Sequence, residues 1–416
     1  MNSIKKQSQF YLILILGLMS AIGPLSIDMY LPAFPSIATA LKTSVATVTL
    51  SLSSFFIGIS IGQLLYGPLL ERYGRKIPLY FGLSIYALAS FACATAVSVE
   101  MLILFRFFQA LGGCVGMVAS RAMVRDLFDV KDNAKVFSTL MLVIAVSPII
   151  APTLGGFITT YLGWRYIFIT LILVIAAILA GTYFLLPESK GPDKSYSLKP
   201  IAILSNFASI IKHPQFALFT FSGSIASAGL YAFISGSPFV FIEFFNVSQQ
   251  HYGWFFGFVA SGLIGSSQLN SVLLKKYSSE QIIKVAFYFQ SVVAILLVST
   301  AFFGIANLYS TVILVFLFLC CQGFIFPNTS ALSMAPFGHN AGSASALMGF
   351  IQMSIGAFMS AMVSVLHNQT ALPMTGVMAF CSVTASLMYA LNKSKVVKQP
   401  NIELVEEEEV EMISTL

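Results

Sequence analysis

The sequence has few charged residues. Only 9% of its 416 residues are Asp, Glu, Lys or Arg, 57% are hydrophobic, and the mean hydropathy is +0.87. A typical soluble domain carries about 25% charged residues. This composition excludes a water-soluble fold. At about 20 apolar residues per membrane crossing plus a short connection, a chain of this length has room for about twelve crossings.

Cysteine and histidine are also scarce, and their positions argue against several chemistries. The five cysteines lie inside apolar runs without metal-ligand spacing, which indicates buried thiols. The four histidines lie in loops or near the ends of apolar runs. The apolar runs contain no carboxylate pair, no Cys or His cluster and no phosphate-binding glycine loop. A membrane enzyme and an ATP-driven pump are therefore disfavoured, and so is a channel, because rings of pore charge are missing.

Twelve apolar runs, each long enough to cross a bilayer, predict an all-α polytopic membrane protein. They lie at 9–31, 44–66, 77–97, 101–122, 135–160, 164–187, 215–241, 252–273, 282–303, 309–329, 341–366 and 371–391. With a cytoplasmic N-terminus, 19 of the 22 Lys and Arg residues fall on the cytoplasmic side, which leaves Lys42 and Arg165 outside and Arg106 within a helix. The positive-inside rule favours this orientation, with both termini in the cytoplasm.

One polar connection divides the twelve runs into six plus six. Residues 188–214 contain four lysines and separate a first bundle, residues 1–187, from a second bundle, residues 215–392. A faint repeat, in which Leu69–Tyr73 resembles Leu273–Tyr277, favours a duplicated six-helix unit. Two pseudo-symmetric bundles are typical of secondary transporters. Residues 393–416 hold six of the sixteen acidic residues without apolar periodicity, so we expect a disordered cytoplasmic tail.

Two ionisable residues interrupt the apolar runs. Asp28 lies in the outer half of the first run, and Arg106 lies in the outer part of the fourth. An ionisable group inside hydrocarbon costs about 2.5–3.5 kcal/mol on insertion scales, so its presence favours a function. The two groups come at comparable depth and could pair across a cavity. The pair either ties two helices together, or it couples transport to protons as the surroundings of Asp28 change.

Two further segments suit a moving membrane protein. The turn Gly67–Lys76 packs four charges into six residues, with Gly67 and Gly74 permitting close approach or positive φ. Glu71 can be held there by a neighbouring arginine. The fifth run contains two prolines followed by Gly155 and Gly156, a pattern that favours close helix contact and a bend.

These motifs resemble the major facilitator superfamily, and within it the twelve-span drug:proton antiporters of the Bcr/CflA multidrug efflux subfamily. The turn Gly67–Lys76 is similar to the loop signature of the superfamily, with Glu71 in place of its aspartate. Asp28–Pro32 and Arg106–Gly112 are similar to the motifs of the first and fourth spans, and Arg121–Asp126 to the end of the fourth.

The fifth run resembles the antiporter signature only in part. Ala151–Gly156 agrees with its end, but Ala151 and Ser147 stand where many members have glycine. Because this signature is associated with export, the departure bears on the direction of transport. In the second half, Lys275 stands at the position that corresponds to Glu71. A charge lock would therefore be asymmetric.

The resemblance implies an alternating-access exporter in the bacterial inner membrane, with the major facilitator fold. It would exchange small, partly apolar compounds, antibiotics among them, for protons, with Asp28 and Arg106 coupling the protons. The implied gating residues are Gly67, Glu71, Arg72, Gly74, Arg75, Arg125, Pro148, Pro152, Gly155 and Gly156. Helix position suggests substrate-cavity residues Tyr30, Gln63, Gln109, Tyr231, Phe233, Gln322 and Phe326.

We expect a monomer whose partners are a small-molecule substrate, protons and lipid, with no nucleic acid, metal or cofactor and with a proton gradient as the energy source. Three alternatives stay open. The chain could export one endogenous metabolite such as a siderophore or a sugar-like compound, or take up its substrate. It could also be a membrane scaffold or receptor, although a scaffold has little use for Asp28 and Arg106 in the outer half of the bilayer.

Overall fold

The computed structural model describes residues 2–128, 130–193, 200–337 and 341–396. Within these residues the chain forms α-helices without any β-strand. The helices are α1 Asn2–Asp28, α2 Phe34–Ala40, α3 Val45–Tyr73, α4 Lys76–Ala94, α5 Val99–Leu127, α6 Val130–Tyr161, α7 Arg165–Phe184, α8 Pro200–Ile211, α9 Pro214–Ser237, α10 Gln249–Leu273, α11 Ser279–Phe302, α12 Leu308–Met334, α13 Ala341–Val365 and α14 Leu372–Val396. The all-α prediction is confirmed.

Each of the twelve predicted spans falls on a long helix. In the described part of the chain, ten helices are long and apolar enough to cross a membrane. The other two predicted spans fall on α6 and α10, which have 32 and 25 residues. At 1.5 Å per residue these helices are about 48 and 37 Å long, enough to cross a bilayer. α10 is less apolar than those ten helices, and it packs between α6 and α12 through small and polar residues.

Local sequence determines where several helices begin and end. Ser98 caps α5 by accepting a hydrogen bond from the backbone N–H of Met101, at 3.3 Å. Ser278 and Gln281 form a reciprocal capping box at the start of α11. Gly74, with φ +81°, ends α3 and allows the chain to turn directly into α4. Polar residues at these turns therefore fix the lengths of the spans.

The long helices pack into two sets of six. In the first set, α5 lies against α1, α3 and α4, while α6 packs on α1 and α7 on α4. In the second set, α9 lies against α12, α13 and α14, and α12 also packs on α10 and α11. The two sets meet mainly where α3 lies along α13 and where α6 lies along α10.

The bundle has two ends, which we name by their connections. The loop end carries the turn between α3 and α4 and residues 185–193. The far end carries residues 29–44, which include α2, and a π-helical segment, Pro238–Phe244, between α9 and α10. Helices that follow one another in the chain alternate in direction, so α3 and α13 run antiparallel across the interface.

Residues 188–214, predicted to be a loop, contain a helix. α8 begins at Pro200, and its apolar side chains pack on the second bundle, where Phe207 and Ile210 contact a cluster that includes Phe216 and Leu347. A short amphipathic helix of this kind suits the membrane surface rather than a solvated connection. Of the predicted acidic tail, residues 393–396 continue α14, and residues 397–416 lie outside the described residues.

Candidate functional site

The centre of the first bundle holds a fully buried arginine. Arg106 on α5 has no exposed surface. It donates hydrogen bonds to Gln109 Oε1 at 2.6 Å and to the carbonyl of Ser26 on α1 at 3.1 Å. Its guanidinium carbon lies 4.5 Å from the ring centre of Tyr30 and 4.1 Å from that of Phe55. Two aromatic faces and two oxygens therefore stabilise the charge by cation–π contact and hydrogen bonding.

Two residues predicted to line the substrate cavity belong to this arginine pocket instead. Tyr30 is fully buried and its hydroxyl lies 2.8 Å from the Ser51 hydroxyl. Gln109 is also fully buried and donates from Nε2 to the Ser90 hydroxyl on α4, at 2.7 Å. Both therefore face the interior of the first bundle. The position of a residue along a helix does not show whether its side chain faces the bundle interior or the cavity. Here both side chains lie in the pocket around Arg106.

Asp28 lies at the last residue of α1 and faces away from Arg106. Only 4% of Asp28 is exposed, and its Oδ2 has no hydrogen-bond partner among the described residues. Side chains two residues apart on an α-helix point about 200° apart. Since the Ser26 side chain contacts Tyr86 within the first bundle, Asp28 points toward the other half. It lies within electrostatic range of Tyr252 on α10.

The predicted pairing of Asp28 with Arg106 is not formed in this structure. The ion pairs among the described residues all lie at the loop end, and none includes either residue. The physical reason is the rotation of α1 between Ser26 and Asp28, which presents a backbone carbonyl to the arginine and the carboxyl group to the interface. The first bundle thus holds a guanidinium and a carboxyl group that are both buried and separate.

The interface between the halves closes at the far end and in the middle. The hydroxyls of Ser53 and Ser60 on α3 lie 2.7 Å from those of Ser360 and Ser354 on α13. Gln249 Nε2 donates to the Ser36 hydroxyl at 2.9 Å. Nearer the far end still, Ser364 donates to the Ala46 carbonyl. Small hydroxyl groups therefore join the two halves directly.

Glycines allow the helix backbones to approach closely at the far end. A Cβ at Gly155 on α6 would lie 2.8 Å from the carbonyl carbon of Met29, and one at Gly253 on α10 would lie 2.6 Å from the Thr153 nitrogen. Gly156 meets Gln249 in the same way. Any larger residue would push the helices apart. The predicted close contact at these glycines is present, and α6 stays helical through Pro148 and Pro152.

Toward the loop end, the axes of α3 and α13 diverge. A Cβ at Gly349 on α13 would meet Gln63 of α3, and one at Gly356 would meet Tyr231. At Gly342 of α13 and at Gly67 of α3, a Cβ would meet nothing within 4 Å. Contact between these helices is therefore lost in the direction of the loop end, which is the open end of the interface.

Of the remaining predicted cavity residues, two lie at the interface and a third lies in a crevice of the second bundle. Gln63 contacts α13, and the ring of Tyr231 lies 4.9 Å from that of Phe56 across the two halves. Phe326 on α12 is 44% exposed and lines a crevice with Met348 and Gln352 of α13. Gln63 and Tyr231 are nearly buried at the interface, whereas Phe326 is exposed in its crevice between α9, α12 and α13.

The other two, Phe233 and Gln322, lie inside the second bundle. Phe233 stacks on Phe256, with ring centres 5.6 Å apart. Gln322 on α12 donates to the hydroxyl of Ser227 on α9 and accepts from Gln290 Nε2 of α11 at 3.2 Å. Their cavity assignment is therefore replaced by a packing position, because a buried amide takes the nearest partners on neighbouring helices.

At the loop end, two of the predicted gating residues, Glu71 and Arg75, form an ion cluster. Its ion pairs also include Asp126 and Lys190. Arg75 is 2% exposed and donates from Nη1 to Glu71 at 3.0 Å and from Nε to Asp126 at 2.8 Å. Burial alone would lower the pKa of Arg75, but its hydrogen bonds and charge contacts with Asp126 and Glu71 outweigh burial and raise that pKa. The guanidinium therefore stays charged.

The cluster also attaches residues 188–193 to the first bundle. Glu71 pairs with Lys190 at 2.6 Å, and Ser189 donates to Asp126 at 2.9 Å. Glu188 accepts from the backbone N–H of Arg75 at 2.7 Å, where its charge complements the positive end of α4. The Arg72 side chain reaches the Asp193 carbonyl at 3.5 Å. The ion cluster is therefore formed within the first bundle and residues 188–193.

Sequence reasoning missed three members of this cluster. Asp126, not Arg125, is the residue of its motif that reaches Arg75; Arg125 is exposed and takes part in none of the ion pairs among the described residues. Glu188 and Lys190 lie in the segment that the sequence predicts to be a loop. The signal for Asp126 was the carboxylate directly after Arg125. Glu188 had no signal, because its partner is a helix terminus 112 residues earlier.

Comparison with known proteins places this geometry in context. The family model described as Major Facilitator Superfamily matches residues 16–361. The uncharacterised MFS-type transporter YdgK of Bacillus subtilis is 32% identical over 386 residues, which cover 92% of this chain and 95% of that relative. The bicyclomycin resistance protein homolog of Haemophilus influenzae is 31% identical, covering 95% and 99%. Multidrug resistance protein D of Escherichia coli is 26% identical, covering 88% and 91%.

Solved structures agree on the fold. The crystal structure of a D-xylose–proton symporter superposes with a TM-score of 0.72 at 15% identity, covering 91% of this chain and 97% of that one. An inward-facing, occupied bacterial homologue of the human lysosomal transporter Spinster superposes with a TM-score of 0.69 at 16% identity, covering 94% and 99%. The predicted arrangement of two six-helix bundles is confirmed.

Proposed function

Because the chain belongs to the major facilitator superfamily, we propose that it exports small, partly apolar compounds in exchange for protons. Its membership makes it a multi-pass transporter of the inner membrane and not an enzyme. Relatives named for bicyclomycin resistance and multidrug resistance support the choice of substrate class.

The observation that carries the proposal is the position of Asp28. Its carboxyl group is buried where α1, α6 and α10 meet at the closed far end, and one of its oxygens has no partner among the described residues. A charged carboxylate in such surroundings costs several kcal/mol. We propose that Asp28 carries a proton while the far end closes without substrate, so that this closure requires a proton.

This requirement links proton movement to alternating access. With the basic loops in the cytoplasm, the far end faces outward and the loop end faces inward. Asp28 takes a proton from outside when the far end is open and carries it through closure. Opening of the loop end lets the proton leave to the cytoplasm as substrate enters. Arg106 would attract the carboxylate once deprotonated, since no carboxylate among the described residues pairs with it.

The substrate would bind between the halves, near the loop-end opening. Gln63, Tyr231 and Phe326 supply aromatic surface and an amide there, a combination that accommodates partly apolar compounds of varied shape. Tyr30 and Gln109 would act indirectly by fixing Arg106. We propose that residues 1–187 and 215–392 form the two moving units, joined by residues 188–214, with both termini cytoplasmic. The transporter would work as a monomer in lipid, driven by the proton gradient without a cofactor.

The test is proton-driven transport by the Asp28→Asn variant. Asparagine keeps the size of the side chain but cannot exchange a proton, so we expect efflux driven by an imposed pH gradient to fall by about 100-fold or more in proteoliposomes. The matched control is Glu100→Gln, which removes an exposed carboxylate from the start of α5. Wild-type efflux rates in Asp28→Asn would refute the coupling assignment.

A second measurement separates multidrug export from export of one compound. Purified protein is mixed with a panel of chemically diverse compounds, and released protons are followed with a pH-sensitive dye. We expect proton release with several compounds, and none from the Asp28→Asn variant. Release with a single compound would instead identify a dedicated exporter.

A further inference from the structure

The side of the second bundle carries an apolar groove that transport does not explain. It has a volume of about 510 Å³ and opens between α11 and α12 near the loop end. Leu273 and Tyr277 line it from the end of α10, Val285 and Phe289 from α11, and Cys320 and Phe324 from α12. α11 and α12 pack within the second bundle, whereas α3, α6, α10 and α13 form most of the interface between the halves. The groove therefore opens sideways, toward lipid.

Three lysines lie in the segments that border this groove. Lys275, Lys276 and Lys284 are all exposed there. The Lys276 ammonium lies 5.6 Å from the ring centre of Tyr277, which lines the groove, and Lys284 directly precedes Val285, which lines it as well. Glu280 is the one acidic residue between positions 273 and 289. The rim thus combines an apolar cavity with a surplus of cations at the level of the helix ends.

We propose that this groove binds one anionic phospholipid, with an acyl chain in the cavity and the phosphate against the lysines. An apolar cavity of this size suits a hydrocarbon chain, and lysines at helix ends attract anionic headgroups at the membrane surface. The lysines would contribute nothing to binding a neutral lipid, and the apolar cavity would contribute nothing to binding a soluble anion. The inference is independent of the substrate and of proton coupling.

The test measures lipid retention by native mass spectrometry. Purified full-length protein is incubated with equal amounts of dioleoyl phosphatidylglycerol and dioleoyl phosphatidylcholine. We expect one phosphatidylglycerol molecule to be retained, with a preference over phosphatidylcholine of about tenfold, since several lysines contribute. Replacing Lys275, Lys276 and Lys284 together by glutamine should abolish the preference. The control Lys42→Gln, at the far end, should keep it.

The acyl chain is tested by filling the cavity. Val285→Trp occupies the groove from a residue that is 69% exposed, and Val292→Trp is its control, from a residue on the same helix that is 54% exposed and does not line the groove. We expect only Val285→Trp to lose the bound lipid. Alkylation of Cys320, a half-buried thiol that lines the groove, blocks the cavity without a substitution and serves if the variant fails to fold.

Two results would overturn the proposal. Unchanged retention after both Val285→Trp and Cys320 alkylation would place the lipid elsewhere. Equal retention of the two lipids by the wild type, or an unchanged preference in the triple glutamine variant, would refute recognition of the headgroup by these lysines.

Discussion

The two bundles share a helix plan but differ in the polar groups that they bury. The first bundle encloses Arg106 and Asp28, and its loop end holds the buried Arg75 between two carboxylates. The second bundle encloses amides and hydroxyls, among them Gln290, Gln322 and the pair formed by Asn328 and Asn270 at 2.7 Å. Charge is concentrated in one half and neutral hydrogen bonding in the other.

This difference separates two uses of buried polarity. A buried amide whose bonds are satisfied adds specificity to helix packing at modest cost. A buried ionised group costs more than a packed apolar side chain unless its charge is used. We therefore expect the first bundle to carry the proton and the conformational control, and the second bundle to supply a fitted surface against which the first one moves.

The largest effect should come from matched changes at the two polar centres. Arg106→Gln removes the charge that Tyr30, Phe55 and Gln109 surround, so no cation would be left there to attract the Asp28 carboxylate after it loses its proton. We expect proton-driven efflux in proteoliposomes to fall by about 100-fold.

Gln322→Met in the second bundle is the matched change. It removes the donor to the Ser227 hydroxyl and one of the two acceptors of Gln290 Nε2, and it should lower the free energy of unfolding by about 1–3 kcal/mol. Efflux should change by less than about threefold, because no charge is lost. Equal losses of efflux in the two variants would end the division of roles between the bundles.

An intermediate effect should come from the loop end, where the two halves differ in the sign of one charge. Asp126→Asn takes a carboxylate from the buried Arg75 and weakens the contact with Ser189, so we expect residues 188–193 to detach from the first bundle more often. Trypsin should then cut after Lys190 several times faster in the native protein, and efflux should fall by about tenfold, since a buried cation loses a charged partner.

The corresponding change in the second half is Lys275→Gln, at the position equivalent to Glu71. Lys275 is exposed and takes part in none of the ion pairs among the described residues. Efflux and protease sensitivity should stay close to wild type. A protease effect of Lys275→Gln as large as that of Asp126→Asn would show that the loop-end cluster is not confined to the first bundle.

The smallest effect should come from the far end of the second bundle. His367 at the far end packs edge-on to Phe239, with ring centres 4.4 Å apart, and burial lowers the pKa of its imidazole. The folded protein then binds a proton less readily than the unfolded chain. The contribution to stability is complete above the ordinary histidine pKa of about 6.5 and is lost as pH falls below it.

We expect the wild type to lose slightly more thermal stability than His367→Gln between pH 7.5 and pH 5. The difference in Tm should be below about 2 °C, because the imidazole is partly solvated. Comparing the two proteins cancels the titration of Glu243, which lines a crevice at the far end together with His367. A larger pH dependence in the variant than in the wild type would contradict the sign of the shift.

Much of the fold was predictable because membrane crossing imposes long apolar helices, and each of the twelve runs falls on one. The depth of Asp28 and Arg106 was predictable for the same reason. Their orientation was not, since a rotation of two residues along α1 decides whether Asp28 faces the arginine or the other half. A pattern of apolar residues does not determine that rotation.

Side chains that bind backbone groups could not be predicted from the sequence, for a different reason. Glu188 binds the backbone N–H groups that start α4. Because nearly every residue type has a backbone N–H, the identity of the donor residues does not show that a carboxylate binds there. The cavity positions of Gln109 and Gln322 failed because amides are equally suited to a substrate and to a neighbouring helix. Only packing decides between these partners.

The attachment of residues 188–193 sets a mechanical limit on the transporter. Asp193 is fixed to the first bundle through Glu71 and Arg72, while α8 begins at Pro200 and packs on the second bundle. Seven peptide units join these two points, and at about 3.6 Å per residue they span at most about 25 Å. This short connection limits how far the two bundles can separate at the loop end. It therefore also limits the size of any compound that enters while residues 188–193 stay attached to the first bundle.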